Sequence, residues 1–336
     1  MSLTSRRTIL QTIGKTLAVG PFIITSKRTF GEKETPGIRG KSMVVLARKE
    51  GVLLSTNKLD IQPMNQLLDQ ASSVLVDSKD SLAIWRKLFK STDIVGIKVN
   101  TLGGRMLSPH PELVYAIAER LAQIGVSPKR IIIWDRSERE LQRAGFDAVS
   151  AAERALVLGT DSKGIGYERE PEMSGSIGSC FSRIISRICT AMINVGVLKD
   201  HDLSGISVGM KNLFGLIHNP NRYHFDVHKD PYLPDLCLHP YVKDKLRLTI
   251  CDGFRGQYNG GPAYKPGAVW NYDGILMSED QVALDSVAAD IIEQERLKHN
   301  LLSFKAIDRE PIYLQLAEEK KLGITDRSRI DIKEIS

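Results

Sequence analysis

Three lysines sit where lysine is expensive. Lys199 and His201 follow the apolar run Ile193–Leu198, and Lys211-Asn212 lies between Gly209 and the apolar stretch Leu213–Ile217. Lys98 and Asn100 close a third apolar segment, Ile94–Val99. A lysine in such surroundings is costly to bury unless it is paired or faces a ligand. Lysines grouped with a histidine and amides could grip a carboxylate or phosphate, or polarise a carbonyl. A desolvated amine near another cation has a lowered pKa and can act as base or nucleophile. His201 would then serve as acid or base, while Asn100, Asn212 and Asp252 would orient the substrate. The competing reading is structural: Lys199 and Lys211 would pair with Asp200, Asp202 or Asp252. Spacing alone leaves the two level.

A second constellation follows the first. In His218–His228, His224, Asp226 and His228 alternate, so an extended segment would turn all three to one side. Two imidazoles and a carboxylate suit a divalent transition metal; a surface loop of hydrogen-bonded histidines is the plainer alternative. His110, His218 and His239 are weaker candidates. The four cysteines, Cys180, Cys189, Cys237 and Cys251, contain no C-x-x-C pair. No iron–sulfur cluster or cysteine-based zinc site is therefore expected. The loop Gly256–Pro262 lacks a phosphate-loop pattern and reads as a turn that brings backbone close to the site.

The elements that must position these residues are legible as apolar runs. Strands are expected at Met43–Ala47, Ile94–Val99, Ile131–Trp134, Met192–Leu198, Leu246–Ile250 and Ile275–Ser278. Helical spacing marks Met64–Val76, Leu82–Phe89, Pro111–Ile124 and Asp280–Glu293. In Ile94–Val99, Val95, Ile97 and Val99 share one face and Gly96, Lys98 and Asn100 the other. Alternating strands and helices predict an α/β fold: a mainly parallel sheet with helices on both faces. Ligands of such sheets bind outside the carboxyl ends of the strands. Lys98/Asn100, Asp135, Lys199 and Asp252 all fall at such ends, which argues for one convergent site. The segment after Phe304 reads as a smaller, helical and charged appendage, giving an α/β domain over 42–303 and an appendage over 304–336.

The N-terminus looks like an address. Arg6-Arg7 precedes a mildly apolar, glycine-interrupted stretch from Ile9 to Ile24, as in a twin-arginine export signal. A basic amphipathic helix is the alternative. No A-x-A cleavage site precedes Lys27, so the segment could remain as an N-terminal membrane anchor. Residues 28–41 read as linker. The expected partners are thus the twin-arginine machinery and a small anionic ligand, in an exported protein. Nucleic acid is not expected: 46 basic residues against 40 acidic ones give a net charge of only +6, with no basic stripe carrying interleaved aromatics.

From Val44 to Ile292 the chain resembles the domain-of-unknown-function family 362. The resemblance rests on Gly-Ile-Lys98-Val-Asn100, Leu-Lys199-x-His201, Gly-Met-Lys211-Asn212-Leu-Phe-Gly, Leu-Thr-Ile-Cys-Asp252-Gly and Ser278-x-Asp280-x-x-Ala-Leu-Asp285. Family members commonly have Lys-Thr-His where this chain has Lys199-Asp200-His201. Many carry a ferredoxin-like cluster domain, for which this chain lacks the cysteine spacing. The resemblance implies an α/β fold with a polar pocket and assigns no reaction. Three functions stay open: an exported enzyme acting on a small carboxylate- or phosphate-bearing molecule, a redox protein with a metal or organic cofactor, and a non-catalytic ligand-binding or cofactor-delivery protein.

Overall fold

The structure, a computed structural model, describes residues 40–147 and 153–336. The expected export signal, at residues 5–24, lies outside the described residues. Strands run in chain order as β1 (Ser42–Arg48), β2 (Val95–Val99), β3 (Ile131–Asp135), β4 (Leu156–Gly159), a small separate hairpin β5 (Glu172–Ser174) and β6 (Ile177–Ser179), β7 (Ala191–His201), β8 (Gly205–Ile206), β9 (Leu246–Gln257), β10 (Val269–Trp270), β11 (Gly274–Ser278) and β12 (Ile330–Ile335). The main sheet has the order β12-β1-β11-β9-β7-β2-β3-β4. Neighbours from β9 through β4 are all parallel. β11 is antiparallel to both β9 and β1, and β12 joins β1 in parallel. The fold is the mainly parallel α/β sheet expected.

Parallel strands are buried on both faces, which is why they read as unbroken apolar runs. One face carries Val95, Ile97, Val99, Ile193, Leu248 and Ile250 under the helices Ile61–Leu75 and Pro111–Gln123. The other carries Trp134, Met192 and Leu276 under Gln281–Lys298 and Tyr313–Glu319. Asp280 caps the first of these, accepting from Val282 N and Ala283 N at 2.9 and 3.0 Å. Its second oxygen accepts from Ile324 N at 3.0 Å, which ties down the C-terminal segment. That segment contains the expected helix and also an edge strand: β12, Ile-Asp-Ile-Lys-Glu-Ile, completes the sheet beside β1. Among the described residues, no helix is long and apolar enough to cross a membrane.

Candidate functional site

The carboxyl ends of β2, β3 and β7 open into a cavity of about 730 Å³. Its floor is built by the short helix Gly209–Asn212 and the 3₁₀ turn Leu213–Leu216 that continues it. Asp285 holds the start of that helix, accepting from Gly209 N and Met210 N at 2.7 and 2.8 Å. Burial pushes the Asp285 carboxyl up to about 7, against the pull of those two bonds. Asn194, on β7, donates to Gly209 O at 2.8 Å and accepts from Asn212 Nδ2 at 2.7 Å. Asp285 and Asn194 together fix where Lys211 and Asn212 stand.

Lys98 lies beneath the cavity with all three ammonium hydrogens used. It donates to Val99 O at 2.7 Å, Asp135 Oδ1 at 2.8 Å and Asn212 Oδ1 at 2.9 Å. Asp135 also accepts from Thr101 N and Thr101 Oγ1, both at 2.8 Å. Burial works to neutralise both partners. It lowers Lys98 despite the carboxylate beside it, whereas the Lys98 charge and the Thr101 bonds hold Asp135 below its ordinary range. Gly215 passes directly over the pair: a Cβ there would come within 2.6 Å of Lys98 Nζ. Asn212 spends its amide on Asn194, Lys98 O and Val195 O, so it orients its neighbours and has no donor to spare.

Lys211 is buried in a different company. Its Nζ lies 2.7 Å from His224 Nε2 and 4.1 Å above the Phe214 ring. Among the described residues it has no carboxylate within ion-pair distance, and burial holds its pKa well below the lysine range. His224 Nδ1 sits 2.8 Å from Pro220 O, so that nitrogen carries the proton and Nε2 is left to accept from Lys211. Burial, with Lys211 nearby, lowers His224 to about 4. His201 has the opposite tautomer. Its Nδ1 accepts from Leu203 N and Ser204 N at 3.0 and 3.3 Å, so Nε2 bears the proton. Burial, then the surrounding cationic groups, lowers it to about 2, and its ring lies 5.8 Å from that of His224. The floor therefore presents a lysine without a counter-ion, an imidazole acceptor and an imidazole donor.

Lys199 stands one layer back. Its Nζ is 3.4 Å from Asn100 Oδ1 and 3.2 Å from Pro262 O, and both of those residues line the cavity while Lys199 does not. Burial lowers it to about 8, with Asp135 and Asp200 pulling the other way. The turn at Gly261-Pro262 does bring backbone close: a Cβ on Gly261 would lie 2.1 Å from Asp200 O. The lysine–aspartate pairs of the competing structural reading are not formed; among the described residues no ion pair joins Lys199 or Lys211 to Asp200, Asp202 or Asp252.

Two expectations need correction. Asp252 belongs to the other face of the sheet, in phase with Leu248, Ile250 and Phe254. It accepts from His110 N and bonds His110 Nδ1, at 2.7 and 2.8 Å, and does not line the lysine cavity. The proposed metal triad also fails on geometry. Residues 225–229 form turns, with Asp226 at φ +47°, so the side chains do not alternate along a strand. His224 goes to Lys211, Asp226 to Lys229 at 3.4 Å, and His228 towards Asp308 at 3.7 Å. Among the described residues, no group of three or more His, Cys, Asp or Glu side chains could hold a metal ion. Sequence reasoning left out Asp135 as a site residue, although it had marked it as a strand end. It also missed Tyr167 and Arg136, which line the cavity without any local motif.

Comparison with known proteins gives a family and little more. The family model described as a domain of unknown function, DUF362, matches residues 95–290. No curated protein matches. Among solved structures, a protein from Thermotoga maritima, solved by a structural genomics consortium, aligns with 72% of this chain at 11% identity and a TM-score of 0.37. This chain spans 60% of that protein's length.

Proposed function

Since this chain belongs to the DUF362 family, whose name assigns no chemistry, we propose that it is an enzyme acting on a small carboxylate- or phosphate-bearing molecule bound over Lys211. One observation carries the reading: Lys211 is a buried amine on a cavity floor whose nearest polar partner is an uncharged imidazole. Of the carboxylates that line the cavity, Asp135 is committed to Lys98 and Thr101, Asp161 accepts from Glu138 N, Asp202 pairs with Arg309, and neither these nor Glu140 forms an ion pair with Lys211 among the described residues. An anionic substrate supplies the counter-charge that Lys211 lacks, and so favours its protonated form. His201 Nε2–H is a second donor for the substrate's oxygen, and His224 Nε2 is placed to exchange a proton with Lys211. Lys98, Lys199, Asn100 and Asn212 act as positioning residues beneath and behind these groups.

Calorimetric titration of the full chain with pyruvate, acetate, glycerol phosphate and inorganic phosphate tests this. We expect at least one anion to bind with net proton uptake, seen as a dependence of the heat on buffer ionisation enthalpy. Lys211→Met should weaken that binding at least tenfold, and turnover of any substrate found by screening should be lost with it. Equal affinity in Lys211→Met, or undiminished turnover, overturns the assignment.

We also place this enzyme outside the cytoplasm, on the strength of Arg6-Arg7 and the mild apolar stretch behind it. A reporter fused after residue 41 should be exported, and Arg6→Lys/Arg7→Lys should retain it inside. Export of the double variant by a reporter specific to folded cargo removes the twin-arginine reading.

A further inference from the structure

The lysine cavity is not polar all round. Strands β9, β7, β2, β3 and β4 lie side by side in that order, and the loops that leave them wall the cavity. The loops after β3 and β4 supply Arg136, Ser137, Glu140 and Asp161. Asp161 N donates to Arg136 O at 3.1 Å, which joins those two loops into one polar wall. The loops after β9, β7 and β2 supply Pro262, Leu203 and Leu102, none of which carries a polar side-chain group.

Hydrogen bonds gather these three residues on one side. Lys199 Nζ donates to Asn100 Oδ1 at 3.4 Å and to Pro262 O at 3.2 Å, which ties the loop bearing Leu102 to the loop bearing Pro262. Asp202 N donates to Gly261 O at 3.0 Å, which brings Leu203 beside the same loop. Leu203 N donates to His201 Nδ1 at 3.0 Å, so this leucine stands next to an imidazole of the floor. Leu102 and Leu203 are nevertheless 55% and 50% exposed. One exposed leucine on a loop is ordinary. Two of them on loops tied together, at the mouth of a cavity whose floor lacks a counter-charge, form apolar surface of the kind that a ligand covers. A structural role would have buried them. At about 730 Å³ the cavity also has room for far more than a carboxylate or a phosphate group.

We propose that the substrate is an amphiphile, with its carboxylate or phosphate head over Lys211 and an aliphatic chain lying along Leu203, Leu102 and Pro262. This rests on the reading of Lys211 given above and adds what the substrate carries beyond its anionic head. A second charge at the far end of the chain is disfavoured, because the leucines would desolvate it without pairing it. Lys199 gains a purpose in this arrangement: from behind the cavity it holds together two of the loops that form the apolar wall.

The test is calorimetric titration of the full chain with two pairs of probes: acetate against hexanoate, and inorganic phosphate against hexyl phosphate. Full burial of a methylene is worth roughly fourfold in affinity, so half-covered methylenes add about twofold each. For whichever head the floor accepts, the longer anion should therefore bind at least tenfold more tightly than the bare one. Adipate, as long as hexanoate but charged at both ends, should gain nothing over acetate. In Leu102→Ser/Leu203→Ser the gain with chain length should vanish; both leucines are half exposed, so the fold should tolerate the change. Lys211→Met should weaken the longer anion at least tenfold. If acetate or phosphate binds through Lys211 and the chain adds less than tenfold, the amphiphile proposal falls and the anion site stands. Adipate binding as tightly as hexanoate, or survival of the gain in Leu102→Ser/Leu203→Ser, overturns the proposal in the same way. If no anion binds, or Lys211→Met weakens the longer anion by less than tenfold, both readings fall.

Discussion

Lys98 and Lys211 share one cavity and are both buried, yet the chain treats them differently. Around Lys98, three acceptors meet three donors, and the carboxylate among them is itself held by Thr101 and by the backbone. Around Lys211 there is an imidazole nitrogen, an aromatic face and the open cavity. The first arrangement is closed: an added ligand could improve nothing in it. The second is incomplete, and the missing element is a negative charge. Burial of a lysine is therefore no guide to function by itself; what separates the two is whether the protein supplies the counter-charge. Removing a partner should harm the closed end mostly through stability and the open end mostly through binding.

The largest effect is expected at the closed end. Asp135→Ala strands a buried ammonium, and breaking a buried pair in this way costs about 3–5 kcal/mol. Chemical denaturation should show that loss in Asp135→Ala. It should show recovery of most of it in Lys98→Met/Asp135→Ala, where no charge is left unpaired. A loss below about 1 kcal/mol in the single variant would mean that water reaches Lys98, and the contrast with Lys211 would fail.

Next comes Lys199, which lies between the two cases, with amide and carbonyl partners but no carboxylate in contact. Its pKa is about 8 in the folded chain, against 10.5 for an unburied lysine. Between those values the unfolded chain binds more protons than the folded one, so this group makes stability rise with pH through that window. The rise amounts to roughly 3 kcal/mol for a shift of this size. Other groups titrate there too, so the quantity to measure is the difference between wild type and Lys199→Met. That difference should grow in favour of wild type from pH 8 to 10.5. A flat difference would show Lys199 to be paired in a way its contacts do not suggest.

What the sequence revealed of this arrangement follows its physics. Buried parallel strands must be apolar throughout, so the main ones were readable as runs, and the alternation in Ile94–Val99 correctly turned Lys98 away from Val95 and Ile97. The phase of one strand against another leaves no local mark, and so Asp252, grouped with the lysines as a polar strand end, could not be separated from them. Asp135 lies 37 residues from the lysine it neutralises, and nothing near it announces that partnership. β4 is four residues long, with two of them buried and two partly buried, too short to show a period. β12 alternates only over Ile330 and Ile332, with Ile335 out of phase, and as an edge strand among charges it resembled a charged tail. The His224–His228 reading assumed extended backbone, and the turns there re-aim each side chain.

A smaller effect should come from the roof of the closed end. In Gly215→Ala the new methyl meets Lys98 Nζ at 2.6 Å and Asp135 Oδ1 at 3.2 Å, and neither can yield without lengthening its bonds. Overpacking of this kind costs about 1–3 kcal/mol. Calorimetric melting should show it as a lowered Tm. Lys211→Met, at the open end, should change stability by less than about 1 kcal/mol, because the half-buried His224 can replace its lost donor with water. If the two variants were equally destabilised, the open end would be as structural as the closed one.

The smallest signal is an expected absence of change. The proton on His201 Nε2 is dictated by two backbone N–H groups aimed at Nδ1, and burial with nearby cations keeps the ring neutral down to about pH 2. Nitrogen-15 spectra should therefore show a single Nε2–H tautomer for His201, with no titration between pH 5 and 8. Its assignment is checked by loss of the signal in His201→Gln. An anion bound over Lys211 should shift the Nε2 resonance without protonating Nδ1, since Nδ1 has no lone pair left to offer. Protonation of His201 within that range would mean that the cavity already holds a negative charge, and Lys211 would then lose its claim to be the group awaiting one.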